Sequence, residues 1–272
     1  VTTKQTIDQQ TSNARNDRIE RAAHELAARY RQGSKGGSLA ADSSPADVSE
    51  ALAIQQAVQT LLNAQTGGWK CSLPNAGQPV LAPIYRDRIV HAAQTTICRA
   101  PASQGEAEIE PEIAYVIGSD LPPRATPYST QEVLQAVAST HLAFELIGSR
   151  YLDRKQESFI GKLADRLAND GLFVGPAIDG ALNQGDTLAA FALSLRDANG
   201  ELGNWSGKHP DGHPLTTLHW LVNYLAANGN GLQRGMVVTT GSYQGVIKVP
   251  ANTAVHMQYG SLGQLDVTVQ AA

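Results

Sequence analysis

Ile109-Glu110-Pro111-Glu112-Ile113-Ala114-Tyr115 runs without a break into Val116-Ile117-Gly118, and most of the chain can be read outward from it. The run is strand-like, and a strand alternates its side chains between two faces. Glu110 and Glu112 therefore share a face. Pro111 between them has no N–H to give to a ladder, which predicts a strand start or a sheet edge. Two like charges on one face of an apolar strand are unfavourable unless a positive group lies between them. The plain alternative is a solvated strand face.

A second run, His141-Leu142-Ala143-Phe144-Glu145-Leu146-Ile147-Gly148-Ser149-Arg150, carries one acid in the middle of a strand-like segment. An acid embedded in this way is rarely left unpaired. Arg150 offers an ordinary ion pair. Taken together, Glu110, Glu112 and Glu145 are three carboxylates with no Cys or His at ligand spacing. Such a set favours a hard, oxygen-seeking divalent ion over zinc.

The bulk of the chain sets limits on these readings. At 272 residues it makes one large domain or two small ones, with room for a substantial core. Apolar residues are 42% and charged residues 17%, which is ordinary for a globular protein. The net charge of −4 comes with no basic block, so nothing points to nucleic acid or to an anionic membrane. No apolar run is long enough to span a bilayer, and no signal-peptide pattern opens the sequence. Cys71 and Cys98 do not make a disulfide framework, and a reducing cytoplasm is the expected compartment.

In chain order, residues 1–13 are polar and read as a loose arm. From Asn16 to Arg31 the positions Ile19, Ala22, Ala23, Leu26 and Tyr30 fall at helical spacing. Gly33 to Ser38 breaks that pattern. A second helix is predicted to start at Ser44-Pro45, with Val48, Ala51, Leu52, Gln55, Val58, Leu61 and Leu62 as its stripe. Gly67-Gly68 then leads into a short strand in which Lys70 lies among Trp69, Cys71 and Leu73. A cation in that apolar setting either pairs with a carboxylate or lies along the surface with its stem covering apolar neighbours. Ser129-Thr130-Gln131-Glu132 is a capping box for a helix over Val133 to Ser139. Beyond Leu172, short strands are separated by Gly, Asn and Asp, which suggests a largely antiparallel sheet system. A helix interrupts them near Pro214 and stops at Asn228-Gly229.

Three tempting motifs carry little. His209 and His213 are four apart, but Pro210 and Gly212 prevent the helical zinc geometry. Gly229, Gly231 and Gly235 follow a helix and precede a strand, the reverse of a dinucleotide-binding turn. Gly241-Ser242-Tyr243-Gln244-Gly245 is not a nucleophile elbow. It reads better as a strand-end turn.

Glu110-Pro111-Glu112-Ile113-Ala114 followed by Phe144-Glu145-Leu146-Ile147-Gly148-Ser149-Arg150 resembles the metal-binding pattern of the 2-keto-4-pentenoate hydratase family. That family lies within the fumarylacetoacetate hydrolase superfamily and also contains 4-oxalocrotonate decarboxylases. Gly68-Trp69-Lys70, Gly212-His213-Pro214-Leu215, Thr240-Gly241-Ser242 and Gly260-Ser261-Leu262-Gly263 match further family segments in order. The sequence departs from the pattern after Lys70. Family hydratases usually continue Lys-x-Gly-x-Thr, whereas this chain has Ser72 and Pro74. An acid common before the next strand has no counterpart around Val80, although Asp87 follows a few residues later.

The resemblance implies a fold, a site and an activity. The expected class is α+β: an N-terminal helical segment over residues 1–66, then a mixed, mainly antiparallel β-roll of the fumarylacetoacetate hydrolase type over residues 67–272. Glu110, Glu112 and Glu145 would hold Mg²⁺ or Mn²⁺, Lys70 would be catalytic, and Leu73, Asp165 and Ser242 would bind substrate. Lys162 shares the loosely matching segment of Asp165, and Ser242 with its turn backbone would contact an oxyanion. The implied reaction is hydration of a 2-hydroxy-2,4-dienoate to a 4-hydroxy-2-keto acid in aromatic meta-cleavage catabolism. Decarboxylation of the 4-oxalocrotonate type and C–C hydrolysis of a related 2-keto acid share the same metal-stabilised enolate. A non-catalytic partner subunit is the alternative of another class. A homo-oligomer is implied, as is a complex with a pathway decarboxylase or hydratase.

Overall fold

The structure, a computed structural model, describes residues 2–180 and 185–272, with side chains in the first helix described from residue 12 onward. Five α-helices are formed among the described residues: α1 (Thr2–Gln32), α2 (Val48–Leu62), α3 (Thr130–Ala136), α4 (Phe159–Ala164) and α5 (Pro214–Ala227). None is long and apolar enough to cross a membrane. The chain divides into two compact units, one of residues 1–65 with 149–169 and the other of 66–148 with 170–272.

The first unit is helical. Ala22, Ala23, Leu26 and Ala27 on α1 and Ala51, Ile54 and Val58 on α2 are buried together, the small alanines allowing close approach. Helix α1 corrects the expected loose arm, since it is continuous from Thr2; Val1 lies outside the described residues. The polar segment holds no Gly or Pro, and extending a formed helix costs far less than starting one. Asp47 rather than Ser44 caps α2, accepting from the Glu50 N–H at 2.8 Å, while the Ser44 hydroxyl bonds the Leu39 carbonyl. Residues 149–169 join this unit because Tyr151, Leu163 and Ala164 bury in its core. Gln55 ties α2 to α4 by donating to the Leu163 carbonyl at 2.6 Å.

The second unit is built of strands, in chain order β1 (Thr66–Asn75), β2 (Gln78–Tyr85), β3 (Ile89–His91), β4 (Ile97–Ala100), β5 (Ala102–Ser103), β6 (Glu106–Ile117) and β7 (Val137–Ile147). There follow β8 (Asn169–Ala177), β9 (Ala190–Asp197), β10 (Gly200–Lys208), β11 (Val237–Thr239), β12 (Ile247–Pro250), β13 (Thr253–Tyr259) and β14 (Gln264–Ala271). Among the described residues they form two sheets. One runs β2-β1-β11-β6-β7-β8-β3 with β12 and β5 also on β6, and the other runs β10-β9-β13-β14-β4. The pairs β1/β11, β3/β8 and β4/β14 are parallel and β1/β2, β6/β7, β6/β11, β6/β12, β5/β6, β9/β10, β9/β13 and β13/β14 are antiparallel, so the mixed, mainly antiparallel α+β reading holds. Strand β14 alternates buried Leu265, Val267 and Val269 with exposed or half-exposed neighbours, as a one-sided sheet requires.

Two local expectations change. Pro111 is neither at a strand start nor at an edge; it sits mid-strand in β6, opposite Phe144 of β7. Its carbonyl accepts from the Tyr243 N–H at 3.0 Å, so its N–H-less side faces the turn between β11 and β12 rather than a ladder. A proline costs no ladder bond there. Helix α3 ends at Ala136 because the chain turns extended at Val137 and pairs as β7. Its capping box is present, with Ser129 and Glu132 bonding each other's backbone N–H. Ser129→Ala is expected to lower stability by about 1 kcal/mol, read as a shift of the urea midpoint at constant slope.

Candidate active site

Strands β6 and β7 pair with Glu110 directly opposite Glu145, and Glu112 lies two residues further along β6. Opposed side chains share a face, and so do side chains two apart. Sheet register alone therefore gathers the three carboxylates, and an oxygen of each lies within 4.8 Å of the other two. Glu112 and Glu145 are buried and Glu110 is half-buried. On the same face, further along the strands, Ile84, Ala114, Ala143, Leu172, Val174 and Val237 form an apolar cluster that fixes the backbone beneath the acids.

Strand β1 brings the counter-charge. Lys70 is the register partner of Thr239 on β11, and Thr239 that of Ala114 on β6, which places Lys70 on the carboxylate face. Its Nζ donates to Glu145 Oε1 at 2.6 Å. The expected Arg150 partner belongs elsewhere, paired with Asp165. Burial alone would lower the Lys70 pKa, but Glu145, Glu110 and Glu112 outweigh it and hold the ammonium above its ordinary value. Lys70 is thus a proton or hydrogen-bond donor at neutral pH. Glu112 is pushed well above the usual carboxylate range by burial and then by the charges of Glu145 and Glu110, against the pull of Lys70 and the Gly241 N–H. That N–H donates to Glu112 Oε2 at 3.0 Å.

The remaining site residues read from the sequence fall in three places. The Leu73 N–H, three residues beyond Lys70, donates to Asp211 Oδ2 at 2.7 Å. Ser242 Oγ donates to the Gly245 carbonyl at 3.1 Å, and the oxyanion met by its turn is the Glu112 carboxylate, through Gly241. Asp165 lies in the first unit, where Arg150 and Ser149 take its carboxylate; Lys162 is on α4 beside it. Asp87 is exposed on the single helical turn Arg86–Arg88 after β2. His209 and His213 do not act as a pair. His213 caps α5 by accepting from the Leu215 N–H, and His209 is buried against Thr240 and Tyr243.

The donor set is three carboxylates without thiolate or imidazole, carried on paired strands. Its chemistry fits an octahedral Mg²⁺ or Mn²⁺, which keeps positions for water or substrate oxygens when bound by a few carboxylates.

A mixed α+β body with a tri-carboxylate face and a half-buried lysine hydrogen-bonded to it defines a recognisable class. The chain belongs to the fumarylacetoacetate (FAA) hydrolase C-terminal family, whose model matches residues 62–270. Among curated relatives, the 2-keto-4-pentenoate hydratase of Paraburkholderia xenovorans (strain LB400) is 26% identical over 160 residues, 59% of this chain and 58% of that protein. A 4-oxalocrotonate decarboxylase of Pseudomonas sp is 29% identical over 160 residues, 58% of each chain. The matches thus span 58% of the length of these relatives. Among solved structures, 4-oxalocrotonate decarboxylase from Pseudomonas putida G7, complexed with magnesium and adipate, superposes with a TM-score of 0.73. It is 18% identical, covering 93% of this chain and 98% of that one. At that identity the likeness speaks for the fold.

Proposed function

We propose that this chain is a divalent-metal-dependent lyase of 2-keto acids or their dienols. The reading with most support is hydration of a 2-hydroxy-2,4-dienoate to a 4-hydroxy-2-keto acid. The observation that carries it is the register-built cluster of Glu110, Glu112 and Glu145 with Lys70 hydrogen-bonded into it. The named hydratase relatives give the substrate class.

In this reading Glu110, Glu112 and Glu145 hold Mg²⁺ or Mn²⁺. When bound, the ion would supply Lewis-acid stabilisation to the enolate character that develops on a 2-keto acid. The protein groups set the rest of the chemistry. Protonated Lys70 orients the substrate by a charge-assisted hydrogen bond and passes a proton as the dienol becomes the conjugated ketone. Water then adds across that double bond, its hydroxyl at C4 and its proton at C3. Leu73, three residues beyond Lys70 on its strand, and Ser242, next to Gly241, are carried as substrate contacts by the family resemblance, as is Asp165, whose carboxylate is paired with Arg150. The free thiols Cys71 and Cys98 suit a reducing cytoplasm. Self-association and pairing with a second pathway enzyme belong to the proposal as implications of family membership.

The test is turnover of freshly generated 2-hydroxypenta-2,4-dienoate and of 4-oxalocrotonate, each with Mg²⁺ and with chelator. Metal-dependent loss of the dienoate without CO₂ is expected. Metal-dependent CO₂ release from oxalocrotonate would replace the hydratase by the decarboxylase. Metal binding with silence on both would indicate a non-catalytic subunit or another 2-keto acid, and turnover undiminished by chelator would end the metal reading altogether.

A further inference from the structure

The geometry points to His209 as a positioning residue that holds the turn carrying Gly241, so that the Gly241 N–H pins one oxygen of Glu112 and leaves the other for a cation. This inference rests on the metal reading of the cluster for its functional consequence, though not for its geometry. His209 lies just beyond β10 and is 1% exposed, yet every polar atom of its ring has a use. Nδ1 accepts from the Asp211 N–H at 3.2 Å, so in the neutral ring the proton sits on Nε2. Nε2 then donates to Thr240 Oγ1 at 3.3 Å. Burial pushes the ring's pKa down to about 4, which keeps it in this neutral form at working pH.

Thr240 is the residue before Gly241. Gly241 has φ of +122°, a conformation that favours glycine, and a Cβ placed there would meet Pro210 Cγ at 2.7 Å. The turn is thus gripped by the His209-Pro210 pair on one side and bonded to Glu112 on the other. The ring is itself immobilised. Its edge packs on Tyr243 with centroids 5.4 Å apart, and its backbone N–H bonds the Ala189 carbonyl at 2.8 Å. Asp211 continues the chain of contacts to the lysine strand, because its Oδ2 accepts from both the Leu73 N–H and Thr217 Oγ1. One network therefore reaches from the strand of Lys70 to the carboxylate of Glu112. The Gly241 N–H is the partner one step behind the ligand, of the kind that commonly governs metal affinity by 10- to 100-fold, and His209 acts on it through Thr240.

The test compares His209→Gln, whose amide donor can stand in for Nε2–H, with His209→Asn, which keeps an acceptor near Nδ1 but cannot reach Thr240. Thr240→Val, which removes the acceptor without changing shape, serves as the second variant should the histidine site fail to fold. Two quantities are read: the Gly241 amide proton shift in chelator-treated protein, and the Mg²⁺ dissociation constant by calorimetry. His209→Asn and Thr240→Val are expected to move the amide shift and weaken Mg²⁺ by at least about tenfold, with His209→Gln close to the parent. An unmoved Gly241 amide, or equal effects of Asn and Gln, would overturn the inference. A parent protein that binds no Mg²⁺ would overturn the metal reading instead, and the amide shift would still decide whether His209 holds the turn.

Discussion

Glu112→Gln is expected to leave a folded protein that no longer binds Mg²⁺ and has lost turnover, while its chelator-treated form is at least as stable as the parent. The two halves of this result have opposite signs, and both follow from one environment. Glu112 is buried beside Glu145 and Glu110, and its pKa in the folded chain stands well above that of the unfolded chain. A carboxyl shifted this way opposes folding as pH rises above its unfolded pKa, because ionisation then proceeds in the unfolded chain while the fold resists it. A neutral amide removes that opposition and still accepts from the Gly241 N–H. Under the proposed metal role the cation would need the ionised form, and losing a carboxylate that helps hold a Lewis acid would remove several kcal/mol of transition-state stabilisation. At 1.36 kcal/mol per tenfold this is at least about a thousandfold in turnover. The same shift makes Mg²⁺ affinity climb with pH above the ordinary carboxylate pKa, with a proton released on binding. Calorimetry in buffers of different ionisation enthalpy measures that proton. Parental turnover would end the metal-ligand role of Glu112, and a variant that unfolds would show that Glu112 is structural.

How much of this was legible in the sequence depends on how local the cause is. That Glu110 and Glu112 share a face needs only the strand period, and no fold need be known. Their meeting with Glu145 depends on the β6–β7 register, which is a property of two distant segments. The partner of Glu145 shows the limit most clearly. Arg150, five residues away, was the local candidate, yet Lys70 takes the role because β1 lies parallel to β11 inside the sheet. Pro111 misled for a related reason. The rule that proline avoids central strands assumes a continuous neighbour, and here the neighbour is interrupted between β11 and β12. Glycines mask alternation in β10 and β12 is only four residues long, whereas β13 alternates plainly, with Val255, Met257 and Tyr259 buried. His209 was set aside with His213 as a failed zinc pair. Nothing local tells that its ring faces Thr240, although the adjacent turn was marked as one of interest.

Asp165→Ala is expected to cost about 3–5 kcal/mol of stability. Asp165 is 4% exposed, and its carboxylate accepts from the Arg150 guanidinium, from the Arg150 N–H at 2.9 Å and from Ser149 Oγ at 3.1 Å. Arg150 is equally buried, and the rest of its fork bonds the carbonyls of Asp165 and Asn169. Removing the acid leaves a guanidinium out of water without its charge partner, which costs far more than the intact pair contributes. The backbone adds to the penalty. Arg166, Leu167 and Ala168 all have positive φ, between 52° and 64°, a left-handed turn that disfavours side chains with a Cβ by about 1–2 kcal/mol per residue. Such a turn persists only where its surroundings over-determine it, and the Arg150–Asp165 bonds at its entrance are the strongest of those surroundings. The double replacement Asp165→Leu with Arg150→Met separates the two costs. It removes both charges, so it should recover most of the loss if the stranded guanidinium dominates, and little if the turn does. A third outcome bears on the site: Asp165→Asn with parental unfolding but much reduced kcat/KM would make this carboxylate a substrate contact after all, and its pairing with Arg150 the state from which it is released.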